Sequence, residues 1–383
     1  MREGQISCIE DLKRCARRRV PRMFYDYVDA GSWSESTYRA NARDLAALCF
    51  RQRVAVNISA RSQNSRMAGQ AVAMPVVLAP TGMGGMIHAD GEILAARAAE
   101  AFGVPYVLST VSICSIEDVA AHTRTPFWFQ LYIMKDRAFV ESLIARARGA
   151  GCPALMLTLD LPIQGLRYKD LRNGLSAPPR LGLRSILGMA SRPRWCAAML
   201  RTRRRTFGNI VGYARGAESI ASFAEWVSQQ FDPTVCWDDV RWIRGLWDGK
   251  LILKGIMDVE DARIAVDVGA DALVVSNHGG RQLDGAPSSI SALPAIAEAV
   301  GQKLEVWVDG GIQSGQTVLK ALARGARGAM IGRAYLYGLG AGGERGVRKS
   351  LEIIQREMDL TMALCGINSL EEIDRSLLVD CGV

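Results

Sequence analysis

The segment SNHGGRQLDG, residues 276–285, spaces His278, Arg281 and Asp284 three positions apart. The chain has only three histidines, and this one lies between an apolar run, ALVVSN, and a pair of glycines. Imidazole is the side chain whose ordinary protonation range suits a base near neutral pH. A base and a fixed positive charge therefore share one glycine-flexible strand end. His88 and His122 have no matching partners and read as structural.

Such residues need elements that bring strand ends together. Eight β-rich runs recur, each ending in a polar or glycine-bearing turn: VVLAPTG (76–82), YVLST (106–110), FWFQLY (127–132), ALMLTLD (154–160), LILKG (251–255), ALVVSN (272–277), VWVDGG (306–311) and AMIGR (329–333). Helix-like segments such as EILAARAAEAF and DVEDARIAVDVGA lie between them, and several stop at Gly or Gly-Ala. Runs with so little alternation suit strands covered on both faces. Eight of them alternating with helices predict an α/β fold, a (β/α)8 TIM barrel. A doubly wound open sheet is the alternative. The reading takes 1–383 as a single barrel domain with a helical lead-in over 1–50 and closing helices from about 343. A long, partly helical insertion after strand four, 161–250, breaks the rhythm; loops of that length are commonly functional or mobile.

In such barrels the active site gathers at the carboxyl ends of the strands. Those ends supply Thr81 and Gly82, Ser109, Gln130 and Tyr132, Thr158 and Asp160, Lys254, Ser276 with His278, Asp309 with Gly311, and Gly332 with Arg333. Any one polar residue there could simply face solvent. The set contains a base, carboxylates, a lysine and two glycine-rich turns. VDGGIQSG and GAMIGR both put glycines ahead of a helix, where exposed N–H groups cradle phosphate. Lys254 ends an apolar strand that would bury its stem, so an inert lysine there would be costly.

Bulk properties bound the partners. Apolar residues make up 49% and charged residues 22%, an ordinary globular balance. The net charge of +8 suits an anionic ligand, a nucleic acid or an anionic membrane without choosing among them. Nine cysteines show no CxxC pair and no metal-like spacing, so reduced thiols in a cytoplasmic setting are expected. The charged start predicts no secretory signal, and no apolar run reaches the roughly eighteen residues of a spanning helix.

The combination SNHGGRQLD (276–284), FQLY (129–132), LTLD (157–160), LKG (253–255) and VDGG (308–311) resembles the FMN-dependent L-2-hydroxy-acid dehydrogenases and oxidases. The likeness runs from FYDYVDAG to LTMALCGINSLEEI, nearly the whole chain. It implies non-covalent FMN and oxidation of an L-2-hydroxy acid to a 2-oxo acid. Tyr27, Arg167 and Arg281 match positions that hold the substrate carboxylate, which suits a planar guanidinium fork. Tyr132 matches the hydrogen-bonding partner of the substrate hydroxyl, His278 the base, and Asp160 the carboxylate that orients it. Lys254 matches the flavin's pyrimidine edge. Thr81, Gly82, Ser109, Gln130, Thr158 and Ser276 match flavin-contacting positions, and Asp309, Gly311, Gly332 and Arg333 the ribityl and phosphate end.

Three departures narrow the branch. Gln313 stands where the family usually has an arginine, Gly82 replaces the alanine common in the oxidases, and Val111 stands where glycolate oxidase carries tryptophan. LSTVSICSIEDVA and FDPTVCWDDVRWIRGLWDG look most like bacterial L-lactate dehydrogenase, whereas PTGMGG and Gln164-Gly165-Leu166 lean towards mandelate dehydrogenase. The expected reaction is L-lactate to pyruvate with electrons passed to a quinone; (S)-mandelate, a larger acid, and oxygen as acceptor are the alternatives.

Residues 192–207, RPRWCAAMLRTRRRTF, mix six arginines with Trp195, Met199, Leu200 and Phe207, a pattern suited to adsorption on an anionic bilayer. Membrane-associated members of the family use this loop to reach quinone, so the resemblance implies a protein peripheral on the inner face of the cell membrane. It also implies a homo-oligomer, tetrameric by likeness. No nucleic-acid reading module backs the arginines. Two other readings compete: a phosphate-binding barrel isomerase, which needs no His278–Arg281 pair, and a non-catalytic membrane flavoprotein, which would require a damaged catalytic set.

Overall fold

Runs of aliphatic and β-branched residues with both faces apolar can only be satisfied inside a layered structure, and here they form eight parallel strands. In the computed structural model, which describes residues 6–175, 182–211, 213, 226 and 229–379, the strands are β1 (Val76–Leu78), β2 (Val107–Ser109), β3 (Trp128–Leu131), β4 (Ala154–Thr158), β5 (Lys250–Ile256), β6 (Ala272–Val275), β7 (Glu305–Val308) and β8 (Gly328–Ile331). Neighbours in sequence are neighbours in the sheet, and β8 pairs with β1. A bridge between Leu78 and Tyr106, with the Leu78 N–H donating to Pro105 O at 3.0 Å, brings β1 to the start of β2 and closes the ring. The TIM barrel expected from the sequence is therefore the fold.

Alternate residues of each strand serve two separate cores. Val77, Val107, Trp128, Met156, Ile252, Val274, Trp307 and Met330 fill the barrel interior, where the Trp128 and Trp307 rings stack 5.6 Å apart. Leu78, Leu108, Phe129, Leu155, Leu253, Leu273, Val306 and Ile331 pack outward in the larger cluster shared with the helices. The interior parity, carried two residues further, arrives at Ser109, Gln130, Thr158, Lys254, Ser276 and Asp309. The same alternation that builds the core thus delivers the polar ring.

The amino end of the barrel is plugged by a hairpin the sequence reading missed, Ser65–Met67 paired with Gln70–Val72. Its two turn residues, Ala68 and Gly69, both have positive φ, the geometry of a tight hairpin. Met67 and Val72 join the interior cluster, and the Trp128 indole N–H donates to Gln70 Oε1 at 3.2 Å.

The lead-in supplies helices Ile9–Arg19, Arg22–Asp29 and Ser36–Ala47. The final helix begins at Arg333, at the end of β8, and kinks at Gly342–Gly343 before continuing to Cys365. The insertion contributes helices Tyr168–Arg172, Leu183–Ala190, Pro193–Arg201 and Trp237–Leu246. It folds back on the loops after β1 and β2: Trp195 Nε1 donates to Met86 O at 2.9 Å, and Arg204 pairs with Asp90 at 3.1 Å and Asp118 at 2.7 Å. Among the described residues no helix is long and apolar enough to cross a membrane. Among the described residues seven cysteines are free and Cys49 is disulfide-bonded, so the expectation of reduced thiols does not hold at Cys49.

Candidate active site

The strand ends bring together residues from β4, β5, β6 and β7. His278 Nδ1 lies 2.8 Å from Asp160 Oδ1. A carboxylate only accepts, so Nδ1 carries the hydrogen and Nε2 is left as the free acceptor of a neutral ring. Lys254 Nζ donates to Ser276 Oγ at 2.9 Å and sits 3.3 Å from Asp309 and 3.7 Å from Asp160. Burial works against the Lys254 charge, but Asp309 and Asp160 outweigh it and hold its pKa above the ordinary lysine value. Burial likewise disfavours the Asp160 charge, yet His278 and Lys254 outweigh it, so Asp160 stays ionised. The His278 pKa is lowered, chiefly by burial, with Lys254 and Arg281 adding and Asp160 opposing.

His278, Gly279 and Gly280 have φ of 57°, 64° and 71°, so His278 itself sits in the left-handed region. A non-glycine residue held there is uncommon, and at a strand end lining a cavity it points to a functional constraint. The surroundings over-determine it. Asn277 and Asn41 exchange amide hydrogen bonds of 2.8 and 2.9 Å, and the Gly280 N–H donates to Asn277 Oδ1 at 3.0 Å. A Cβ on Gly280 would stand 2.5 Å from the Tyr38 backbone, so only glycine fits. Gln282 Nε2 donates to Asp160 O and Ile163 O, both at 2.9 Å, tying this loop to the loop after β4. Asp284 accepts from Ser34 N and Thr37 N at 2.9 Å and from the Ser36 hydroxyl at 2.7 Å. It anchors the start of helix Ser36–Ala47 rather than facing the cavity.

Arg281 and Arg167 flank the Tyr27 ring, their guanidinium carbons 4.8 and 5.4 Å from its centroid. Arg281 Nη1 donates to Tyr27 O and Ala30 O at 2.6 and 3.0 Å. Burial, then the like charge of Arg167, push the Arg281 pKa down to about 10. Two guanidiniums this close are an electrostatic demand for an anion. Burial, and after it the Asp160 charge, raise the Tyr132 pKa, so its hydroxyl remains a donor.

One cavity is lined by Tyr27, Thr81, Gly82, Tyr132, Arg167, Lys254, His278, Arg281, Asp309, Gly311, Gly332 and Arg333. Asp160, Ser109, Gln130, Thr158 and Ser276 are not part of its wall; Asp160 lies behind His278, and the others are buried at neighbouring strand ends. The donor set fits a flavin mononucleotide. Gln130 Nε2, Thr158 Oγ1 and Asp309 Oδ1 are buried without a hydrogen-bond partner, a costly state unless a bound group completes them. Gly310 and Gly311, at φ 92° and 83°, expose backbone next to the β7 end, as a phosphate cradle requires. Arg333 spends Nε on Val28 O at 3.0 Å and Nη2 on Ala30 O and Gly279 O at 2.9 and 3.0 Å. Its charge remains at the cavity. Gln313 also lines it.

Sequence reasoning missed the apolar wall of Phe207, Phe231, Leu161 and Leu175, and one buried carboxylate, Asp170. Phe231 meets Tyr132 edge-on at 5.7 Å. These residues lie in the insertion, where no strand periodicity marks them; only the Arg167–Asp170 spacing, one helical turn, carried a signal. Trp195, Met199 and Phe207 pack inward, leaving Leu200 as the exposed large apolar side chain of 192–207. More apolar surface is exposed at Ile163, Leu166, Leu283 and Trp33, on and beside the loops after β4 and β6.

Comparison with known proteins gives a consistent result. A family model described as FMN-dependent dehydrogenase matches residues 16–380. L-lactate dehydrogenase of Caulobacter vibrioides (strain NA1000 / CB15N) is 45% identical over 376 residues, 98% of each chain. L-lactate dehydrogenase of Pseudomonas syringae pv. syringae (strain B728a) is 45% identical over 375 residues, again 98% of each. Among solved structures, a monotopic membrane protein, (S)-mandelate dehydrogenase, superposes with a TM-score of 0.92 at 34% identity, covering 98% of this chain and 100% of that one.

Proposed function

The chain belongs to the FMN-dependent dehydrogenase family and oxidises a 2-hydroxy acid, and we propose that its substrate is L-lactate and its final electron acceptor a membrane quinone. The observation that carries the reading is the 2.8 Å pairing of Asp160 with His278, which lines one cavity with Arg281, Arg167 and Tyr27. Arg281 and Arg167 hold the substrate carboxylate, with Tyr27 between them. Tyr132 hydrogen-bonds the substrate hydroxyl. His278 Nε2 accepts one proton from the substrate, and Asp160 stabilises the imidazolium that results. Thr81, Gly82, Ser109, Gln130, Thr158, Lys254 and Ser276 would hold the ring of FMN, and Asp309, Gly311, Gly332 and Arg333 its ribityl phosphate. When bound, FMN would supply the two-electron acceptor for the oxidation. Lys254 would keep positive charge beside that ring.

The substrate choice rests on the relatives named L-lactate dehydrogenase at 45% identity. (S)-Mandelate, or another larger L-2-hydroxy acid, is the second reading, favoured by the solved neighbour and by the roomy wall at Val111. Ile163 and Leu283, each 68% exposed, give an apolar rim beside the site that suits a lipophilic acceptor and peripheral attachment to the inner face of the cell membrane. A homo-oligomer, tetrameric by likeness, completes the proposal.

Steady-state turnover of L-lactate with a short-chain quinone analogue, against turnover in air alone, tests the acceptor. Quinone should sustain turnover far better than oxygen. Equal rates in air would make the protein an oxidase.

A further inference from the structure

We propose that Asp170 is a resident competitor for the substrate carboxylate, one that also positions Arg167. The inference rests on the reading of Arg167 and Arg281 as the carboxylate site. Asp170 lines the same cavity as the two arginines and is 6% exposed. Its Oδ2 lies 2.9 Å from Arg167 Nε, and its Oδ1 is buried without a hydrogen-bond partner. The other charged groups of its surroundings are already engaged. Lys169 Nζ bonds Asp29 O at 3.1 Å and pairs with Glu35 at 3.0 Å, while Asp26 accepts from Asn173 at 2.8 Å and Arg22 at 3.2 Å. Among the described residues, Arg167 and Arg281 are the leading positive charges that answer Asp170, with Lys169 adding less and Asp26 opposing. Burial raises its pKa, and Arg167 and Arg281 work against that rise.

A carboxylate with one idle buried oxygen is expensive. Its presence makes sense as a regulator of anion affinity. Substrate and product are both carboxylates, so two unopposed guanidiniums would hold the 2-oxo acid as firmly as the hydroxy acid. Such uniform binding lowers KM without raising kcat. Asp170 offsets part of that attraction, and by gripping the Nε edge it keeps the rest of the Arg167 fork aimed where a carboxylate can meet it.

Calorimetric titration of the FMN-loaded protein with pyruvate, which is not oxidised, separates the two roles. Asp170→Asn keeps an acceptor for Arg167 Nε and removes the charge, so its Kd for pyruvate should fall by about tenfold. Asp170→Ala removes both, and should bind pyruvate more weakly than Asp170→Asn. An Asp170→Asn variant that binds pyruvate no more tightly than the native protein overturns the competitor role. Equal affinity of the two variants overturns the positioning role. Arg281→Lys is the control: if it leaves pyruvate affinity unchanged, the carboxylate-site reading itself fails.

Discussion

Asp160 and His278 are 118 residues apart in sequence, yet Asp160 Oδ1 and His278 Nδ1 lie 2.8 Å apart. The first comes from the end of β4 and the second from the turn after β6, and Lys254 on the intervening strand reaches the other Asp160 oxygen at 3.7 Å. The barrel makes the contact, because adjacent parallel strands deliver their carboxyl ends to one rim.

Replacing His278 with Gln removes the proposed proton acceptor while keeping a polar side chain at the turn. Flavin reduction by L-lactate should slow by at least about two orders of magnitude, with FMN still bound. Stopped-flow absorbance and a cofactor assay check the two halves.

The acid limb of the rate profile follows from the direction of the His278 shift. The ring must be neutral to act, and burial places its pKa below the ordinary 6.5. kcat/KM should therefore hold steady through neutral pH and fall only below 6.5. In Asp160→Asn the charge that favours imidazolium is gone, so the limb should move lower still while the maximal rate drops. A native limb above the ordinary histidine value would contradict the geometry.

Lys254 is the shared counter-ion of two buried carboxylates, and its side chain is 5% exposed. Lys254→Met leaves Asp160 and Asp309 together without it. Breaking a buried ion pair in this way costs about 3–5 kcal/mol. A large fall in Tm and loss of retained FMN are expected.

Asp284 tests the difference between motif and site. Its hydrogen bonds to Ser34, Ser36 and Thr37 outweigh burial and lower its pKa, so its stabilisation is present above the ordinary carboxylate range and lost as pH falls through the depressed value. Asp284→Ala should cost about 1–3 kcal/mol in stability, read as a drop in Tm. The acid limb of the rate profile should stay in place, because His278 is untouched.

The strands were legible in the sequence because each is apolar on both faces, and the polar ring was legible because it continues the inward parity of those strands. Lys254 and Asp309 needed no contact map to be found. The Ser65–Val72 hairpin was not read, since its strands are three residues long and its Ala-Gly turn is a weak signal. The fold-back of 192–209 onto the β1 and β2 loops was hidden for another reason. Its meaning lies in long-range contacts, such as Arg204 with Asp118 and the buried Asn209 with Ser109 O, which no local period encodes.

The central claim is that His278, oriented by Asp160, serves the oxidation of an L-2-hydroxy acid held by Arg281 and Arg167. Anaerobic mixing of the FMN-loaded protein with a panel of L-2-hydroxy acids, followed by flavin absorbance, tests it most directly. L-lactate should bleach the flavin and D-lactate should not. Flavin that stays oxidised with lactate, mandelate and longer aliphatic L-2-hydroxy acids alike would contradict the account.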